Sequence, residues 1–198
     1  MSVSNSTTRA SVVTVCTTLA LASATASGQL RLLLDFEQPI PTDNSGNGVA
    51  LTTVGGEHVM NAGPHGAAMR FDGIDDYIRV ELNIGPMMDE MPQVTIGLWA
   101  RPEVVDHRGQ TLVSSDDGGY DRGIVIDPRD ASATLPCSFN VPRWWAFNGG
   151  CPDGTTAPAE TEWTFLAVTY DRFENSMRFY INDTEYPRFA DNRASWGF

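Results

Sequence analysis

The chain has 198 residues, of which 41% are hydrophobic and 19% are charged, a composition that argues against intrinsic disorder. Its formal net charge is -12, and all 13 basic residues are arginines because the sequence contains no lysine. So acidic a chain argues against nucleic acid as the partner, since phosphate contacts require a basic face. It also leaves carboxylates available for cations.

Residues 1–26 have the pattern of a secretory signal peptide. Arg9 supplies a positive start, Val12 to Ala22 is a short apolar run, and small-residue cleavage sites end at Ala24 and Ala26. The alternative is a membrane anchor, but the run is shorter than the roughly 20 residues that a span requires. We therefore expect a secreted or cell-surface protein without a membrane span, in which residues 27–198 form one domain.

Two cysteines remain if Cys16 leaves with the leader. An even number of cysteines in an exported chain indicates a disulfide between Cys137 and Cys151. The bond would close a loop of about 14 residues and contribute roughly 3 kcal/mol in the chain-entropy model. The alternative is two free thiols in a reducing compartment.

Short apolar runs separated by turns predict β-strands throughout residues 27–198. The turns are rich in Gly, Pro, Asn and Asp, as in Gln38 to Gly48 and Gly63 to Gly66. Regular short strands of this kind are typical of an all-β, two-sheet antiparallel β-sandwich. The predicted strands are Leu30–Phe36, Val49–Val54, His58–Met60, Met69–Phe71, Tyr77–Val80, Val94–Trp99, Thr111–Ser115, Gly123–Asp127, Leu135–Asn140, Trp144–Phe147, Glu162–Asp171 and its hairpin partner Arg178–Asp183.

Four motifs follow one another at a regular order and spacing. They are Phe71-Asp72-Gly73 before a strand, Thr95-Ile96-Gly97-Leu98-Trp99, Trp163 to Asp171, and Tyr180-Ile181-Asn182-Asp183. Together they resemble the laminin G-like jelly roll of the concanavalin A-like lectin/glucanase superfamily, over residues 31–186. Asp183 stands where that family usually has glycine, and aspartate tolerates the left-handed backbone that such a turn requires.

The resemblance implies a concanavalin A-like jelly roll with Trp99 and Trp163 in its core. Members of the resembled family continue past the Tyr-Ile-Asn-Gly hairpin with further strands, whereas this sequence ends at Phe198. We therefore expect a domain truncated at its C-terminal end. The alternative is a sandwich with an exposed edge strand, which a protein must protect from pairing with other chains.

Two groups of aspartates are candidate calcium sites, because calcium takes about six to eight oxygen ligands that often come from loops. Members of the resembled superfamily often bind one calcium ion. The alternative is that Asp-Gly pairs only form turns. The candidate ligands are Asp116, Asp117 and Asp121, which the adjacent Gly118-Gly119 favours, and Asp72, Asp75 and Asp76.

A tryptophan pair beside the cysteine loop is a candidate sugar-binding surface. If residues 143–147 form a strand, the two tryptophans face opposite sides, so one packs inward and the other is exposed. An exposed indole stacks on a sugar ring, and a neighbouring arginine donates to hydroxyls. The alternative is that both belong to the core. The candidate ligand-binding residues are Trp144, Trp145, Arg143, Tyr120 and Arg122.

Motifs for catalysis are absent from the sequence. It lacks the Glu-x-Asp-x-x-Glu strand of the resembled glucanases, and also Gly-x-Ser-x-Gly and His-Glu-x-x-His. We therefore expect a secreted, non-catalytic recognition module that binds carbohydrate or an extracellular protein, with calcium as its candidate cofactor. The alternatives are a divergent glycoside hydrolase or polysaccharide lyase, and a structural accessory domain of a larger surface protein. Asn182-Asp183-Thr184 is a glycosylation sequon.

Overall fold

The computed structural model describes residues 12–14, 28–84, 91–105, 110–115, 122–127, 143–146, 158–174 and 176–190. All regular elements in these ranges are β-strands, which confirms the all-β prediction. None of the described residues forms a helix of the length and hydropathy needed to cross a membrane. The strands are β1 (Val12–Thr14), β2 (Leu51–Val54), β3 (Glu57–Gly63), β4 (Gly66–Arg70), β5 (Tyr77–Val80), β6 (Gln93–Arg101), β7 (Gln110–Ser115), β8 (Arg122–Asp127), β9 (Arg143–Ala146), β10 (Thr164–Asp171), β11 (Ser176–Ile181) and β12 (Thr184–Ala190).

Seven strands form the larger sheet, in the order β12-β11-β10-β6-β1-β4-β3. All of its pairings are antiparallel. The predicted hairpin between the Trp163 run and the Tyr180 run is confirmed, because β10 and β11 pair from Leu166 opposite Ile181 to Asp171 opposite Ser176. β6 pairs along the other side of β10, so these three predicted strands are consecutive in the sheet.

The hydrophobic core lies between the larger sheet and a three-stranded sheet of order β7-β8-β9. Alternate residues of β6, β10 and β11 are buried, as strand geometry requires when one face of a sheet packs against another layer. This arrangement confirms the predicted sandwich. The buried core side chains are Leu98, Ala100, Ile124, Ile126, Trp144, Ala146, Leu166, Val168, Tyr170, Met177, Phe179 and Ile181.

A second, smaller cluster contains Leu34, Phe36 and Met69, with Leu51 and Ile78 of the β2–β5 pair packed against it. The predicted strand at 30–36 is wrong, although Leu34 and Phe36 are buried as a strand's apolar residues would be. This segment does not join a ladder, and hydrogen bonds to the following loop hold it instead.

Asp43 provides much of that anchoring. Its carboxylate accepts hydrogen bonds from the backbone N–H groups of Leu33 (3.2 Å), Ser45 (2.9 Å) and Val49 (3.0 Å). Desolvation raises the pKa of Asp43, but these bonds and the Ser45 side chain outweigh it, so the pKa lies well below its ordinary value. The charged carboxylate of Asp43 therefore holds residues 30–36 in place, although the apolar residues of this segment predicted a strand.

The edge strand β12 was not among the predicted strands. Its sequence contains Pro187, which cannot donate a ladder hydrogen bond and is tolerated at a sheet edge or beside a register shift. Both conditions hold, because β12 is the outermost strand and its pairing with β11 shifts between Met177 and Phe179. In the turn before it, the left-handed backbone falls on Asn182 (φ 54°) and not on Asp183.

Candidate functional site

The outer face of the larger sheet, which points away from the core, carries a group of large side chains. On β6, Leu98 and Ala100 are buried, whereas Trp99 and Arg101 alternate with them and are half-buried. Trp163 is half-buried as well. The expectation that Trp99 and Trp163 belong to the core is therefore wrong, because the strand that places Leu98 inward must place Trp99 outward.

An aromatic row runs across this face. The rings of Trp99 and Phe165, which are paired across β6 and β10, lie 5.3 Å apart at 53°. The exposed His65 meets Trp99 edge-on, with ring centroids 5.5 Å apart at 73°. Trp163 donates its Nε1–H to the carbonyl of Ala62 at 3.0 Å, which fixes the plane of its indole. These contacts hold the rings in a defined surface.

A pocket of about 160 Å³ has both charged and apolar residues in its lining, among them Arg101, which is two residues from Trp99 on β6. In its lining, Arg70 donates to Glu103 at 2.7 Å and to Glu57 at 3.4 Å, and Glu103 above all raises the pKa of Arg70. The guanidinium of Arg101, which also lines the pocket, lies 5.1 Å from the centre of the Trp163 ring. Its Nε is buried and has no hydrogen-bond partner among the described residues. The pocket is lined by Glu57, Val59, Ala62, Ala68, Arg70, Arg101 and Glu103.

The sequence singled out neither the aromatic row nor this pocket. The signal was nevertheless local, since Trp99 and Arg101 are two residues apart in β6, and Trp163, which directly precedes β10, is two residues from Phe165. A period of two places each pair on one face. Which face is exposed depends on the partner layer, and that information is not local.

Two of the predicted ligand-binding residues are buried instead. Trp144 is only 1% exposed and belongs to the hydrophobic core, so it is the inward-facing member of the pair. Arg122 is 2% exposed and donates to backbone carbonyls, among them that of Ile84 at 2.7 Å. In these positions neither side chain meets a ligand in solvent. Tyr120 and the side chains of Arg143 and Trp145 lie outside the described residues, so their role stays a prediction.

Arg122 also lies over the ring of Tyr170, 5.1 Å from its centre. Burial raises the pKa of Tyr170, against smaller opposing effects of Gly123 and Arg122. The phenol donates to the carbonyl of Gly123 at 3.3 Å and accepts from its N–H at 3.1 Å. This group therefore joins β8 to β10 and serves the fold.

The predicted turn at Asp72 brings its three aspartates together. One carboxylate oxygen from each of Asp72, Asp75 and Asp76 lies within 4.8 Å of the others. The turn uses some of these oxygens, because Asp72 Oδ1 accepts from the N–H of Ile74 and Asp76 Oδ2 accepts from the N–H of Asp72. Among the described residues, no basic side chain forms an ion pair with the three. The donor set therefore fits part of a calcium shell, which water and backbone oxygens would complete.

Calcium at this turn should raise the melting temperature of the full chain, because a bound ion relieves the repulsion of three close carboxylates and binds only the folded state. Thermal melts in calcium and in chelator test this expectation. Asp75→Asn is the informative variant, because Asp75 is the exposed member of the three. It should abolish the shift, and a shift that survives in the variant would place the ion elsewhere.

Several predicted residues remain untested. Asp116, Asp117, Asp121, Cys137 and Cys151 lie outside the described residues, so the second calcium group and the disulfide stay predictions. Asn182 is exposed in its turn, and its Oδ1 accepts from the N–H of Phe165 at 3.0 Å. The position is accessible, and glycosylation there stays a prediction.

The seven-stranded and three-stranded antiparallel sheets pack around a shared core, and ring-bearing side chains lie on the outer face of the larger one, which defines the class as a β-sandwich. A laminin G family model of the concanavalin A-like lectin/glucanases superfamily matches residues 72–197. The match spans more than half of the chain, which therefore belongs to this superfamily. No curated protein and no solved structure matches the chain.

Proposed function

We propose that this chain is a secreted, non-catalytic recognition domain that binds carbohydrate on the outer face of its larger sheet. The observation that carries the proposal is the row of His65, Trp99 and Phe165 beside a pocket lined by Arg101, whose guanidinium lies over the ring of Trp163. Ring faces on a sheet stack on the apolar faces of sugar rings. A neighbouring guanidinium supplies several N–H donors for hydroxyl or carboxylate oxygens.

The carboxylates of the pocket favour binding over glycoside hydrolysis. Glycosidases place two carboxyl groups on opposite sides of the scissile bond. Here Glu57 and Glu103 both pair with the guanidinium of Arg70. They therefore fix the position of the arginine, which leaves Arg101 as the donor available to a ligand. Secretion rests on the predicted leader.

Trp163→Ala and Arg101→Ala should each weaken glycan binding about tenfold, because the first removes a ring that stacks on a sugar and the second removes a hydrogen-bond donor. A tenfold change corresponds to roughly 1.4 kcal/mol. Retention on immobilised neutral glucans and on uronic-acid polysaccharides measures the effect. Tyr77→Ala is the matched control, since Tyr77 is an exposed aromatic residue on β5 outside the outer face. The proposal fails if both variants are retained like wild type while their melting curves show a folded protein, or if wild type binds no glycan.

A further inference from the structure

The short strand β1 occupies an interior position of the larger sheet, between β4 and β6. It pairs antiparallel with both: Val12 lies opposite Arg70 on β4 and Arg101 on β6, and Val13 and Thr14 lie opposite Ala100 and Trp99. Neighbouring strands are about 4.8 Å apart, so without β1 the gap between β4 and β6 would be about 9.6 Å. Backbone hydrogen bonds of about 2.9 Å cannot cross such a gap.

The residues of β1 belong to the segment predicted to be a cleaved leader. Cleavage after Ala24 or Ala26 would remove β1 and leave two rows of backbone N–H and C=O groups facing each other across the empty position. Such groups require partners, and unpaired strand edges readily recruit another chain. We call this position, bounded by Gly66–Arg70 and Gln93–Arg101, the acceptor slot.

We propose that the acceptor slot binds an extended strand of a partner polypeptide, and that Val12–Thr14 fill it for as long as the N-terminal segment is attached. Strand addition of this kind draws its affinity from main-chain hydrogen bonds on both sides and its specificity from alternate side chains. The inference goes beyond the glycan surface and concerns a protein partner. It shares Arg101 with that surface, and like the proposed secretion it rests on the predicted leader.

The register defines the chemistry of the partner strand. The position opposite Ala100, which is 0% exposed, faces the core, so it takes an apolar and preferably β-branched residue. The preceding position lies between Arg70 and Arg101. Arg101 has no carboxylate within ion-pair distance among the described residues, so this position favours Asp or Glu. The chain's own segment has Val12 there, which a partner with an acidic residue would displace.

The test uses the full chain carrying Val13→Pro, because proline removes a backbone donor and is not tolerated inside a sheet. The probe is a labelled peptide of residues 9–15, Arg-Ala-Ser-Val-Val-Thr-Val, followed by fluorescence anisotropy. Val13→Pro should bind the peptide at least tenfold more tightly than wild type, whose slot is filled. Ser6→Pro, outside β1, should behave like wild type. A peptide N-methylated at Val13 should not bind, and a Val12→Asp peptide should bind several-fold more tightly than a Val12→Asn peptide.

Equal binding of the peptide to wild type and Val13→Pro would overturn the proposal, as would equal binding of the N-methylated peptide. If Val13→Pro does not melt cooperatively alone, restoration of a cooperative melt by the peptide supports the slot, and failure to restore it counts against it. Hydrogen exchange of wild type gives an independent readout. Residues 99–101 pair with β1, so all of their backbone amides should be protected from exchange. Rapid exchange of the amides in this stretch that do not bond to β10 would show that β1 is not in place and would overturn the proposal. Glycan retention of Val13→Pro with the peptide bound should equal that of wild type, so the two proposals fail separately.

Discussion

Trp144→Ala should lower the free energy of unfolding by about 3–5 kcal/mol, because truncating a fully buried aromatic side chain loses its transfer free energy and leaves a cavity. Trp144 is among the largest fully buried side chains of the described residues, and its strand pairs with β8 opposite Ile126. Urea denaturation measures the change. Phe173→Ala is the control: Phe173 is 59% exposed, so its truncation should cost less than about 0.5 kcal/mol.

A Trp144→Ala variant as stable as the Phe173→Ala control would show that the indole is not in the core and would return it to the candidate sugar-binding residues. The stability measurement must therefore precede any binding assay on this variant. An unfolded variant would also lose glycan retention, and this loss could not be distinguished from the loss of a ligand contact. Trp144→Phe provides a milder comparison that keeps an aromatic ring in the same layer.

The parts of the fold that follow from local pattern were predicted well. In β6, β10 and β11, buried residues alternate with less buried ones, which is the pattern of a strand with one covered face. The structure places these three strands side by side, in the order β6-β10-β11. The Asp72 turn was also predicted, because glycine and aspartate impose it without help from distant residues. The strand predictions were wrong where tertiary contacts outweigh the local hydrophobic pattern. The Leu30–Phe36 segment bonds to Asp43, and Pro187 is tolerated because β12 is an edge strand whose pairing with β11 shifts register.

The candidate site depends on which face of a strand is covered, and this explains why it was missed. Alternation shows that Trp99 and Arg101 share a face and that Leu98 and Ala100 share the other, but both faces contain apolar residues. The choice is made by β8 and β9, whose Ile124, Ile126 and Trp144 cover the Leu98 side. The same layer buries the indole that the sequence offered as a ligand contact.

Arg122→Ala should destabilise the protein by about 3–5 kcal/mol, because it removes a buried charge whose carbonyl partners then lose their donors. The guanidinium donates to the carbonyl oxygens of Ile84, Met91 and Pro92, so a single side chain joins β8 to Ile84 and to the two residues that precede β6. Arg122→Lys should recover only a small part of the loss, because an ammonium group lacks the planar fork that reaches several acceptors.

Chemical denaturation measures this effect, with Arg178→Ala as the matched control. Arg178 is partly exposed and meets Glu185 at 4.0 Å, a surface pair whose loss should cost less than about 1 kcal/mol. A second readout is local: proteolysis between residues 84 and 92 should accelerate in Arg122→Ala and stay unchanged in Arg178→Ala. Equal stability of the two variants would mean that the carbonyls are held by other contacts. The Pro92 carbonyl has one such contact, since it also accepts from the N–H of Arg172 at 2.9 Å, so the proteolytic effect should be greatest toward Ile84.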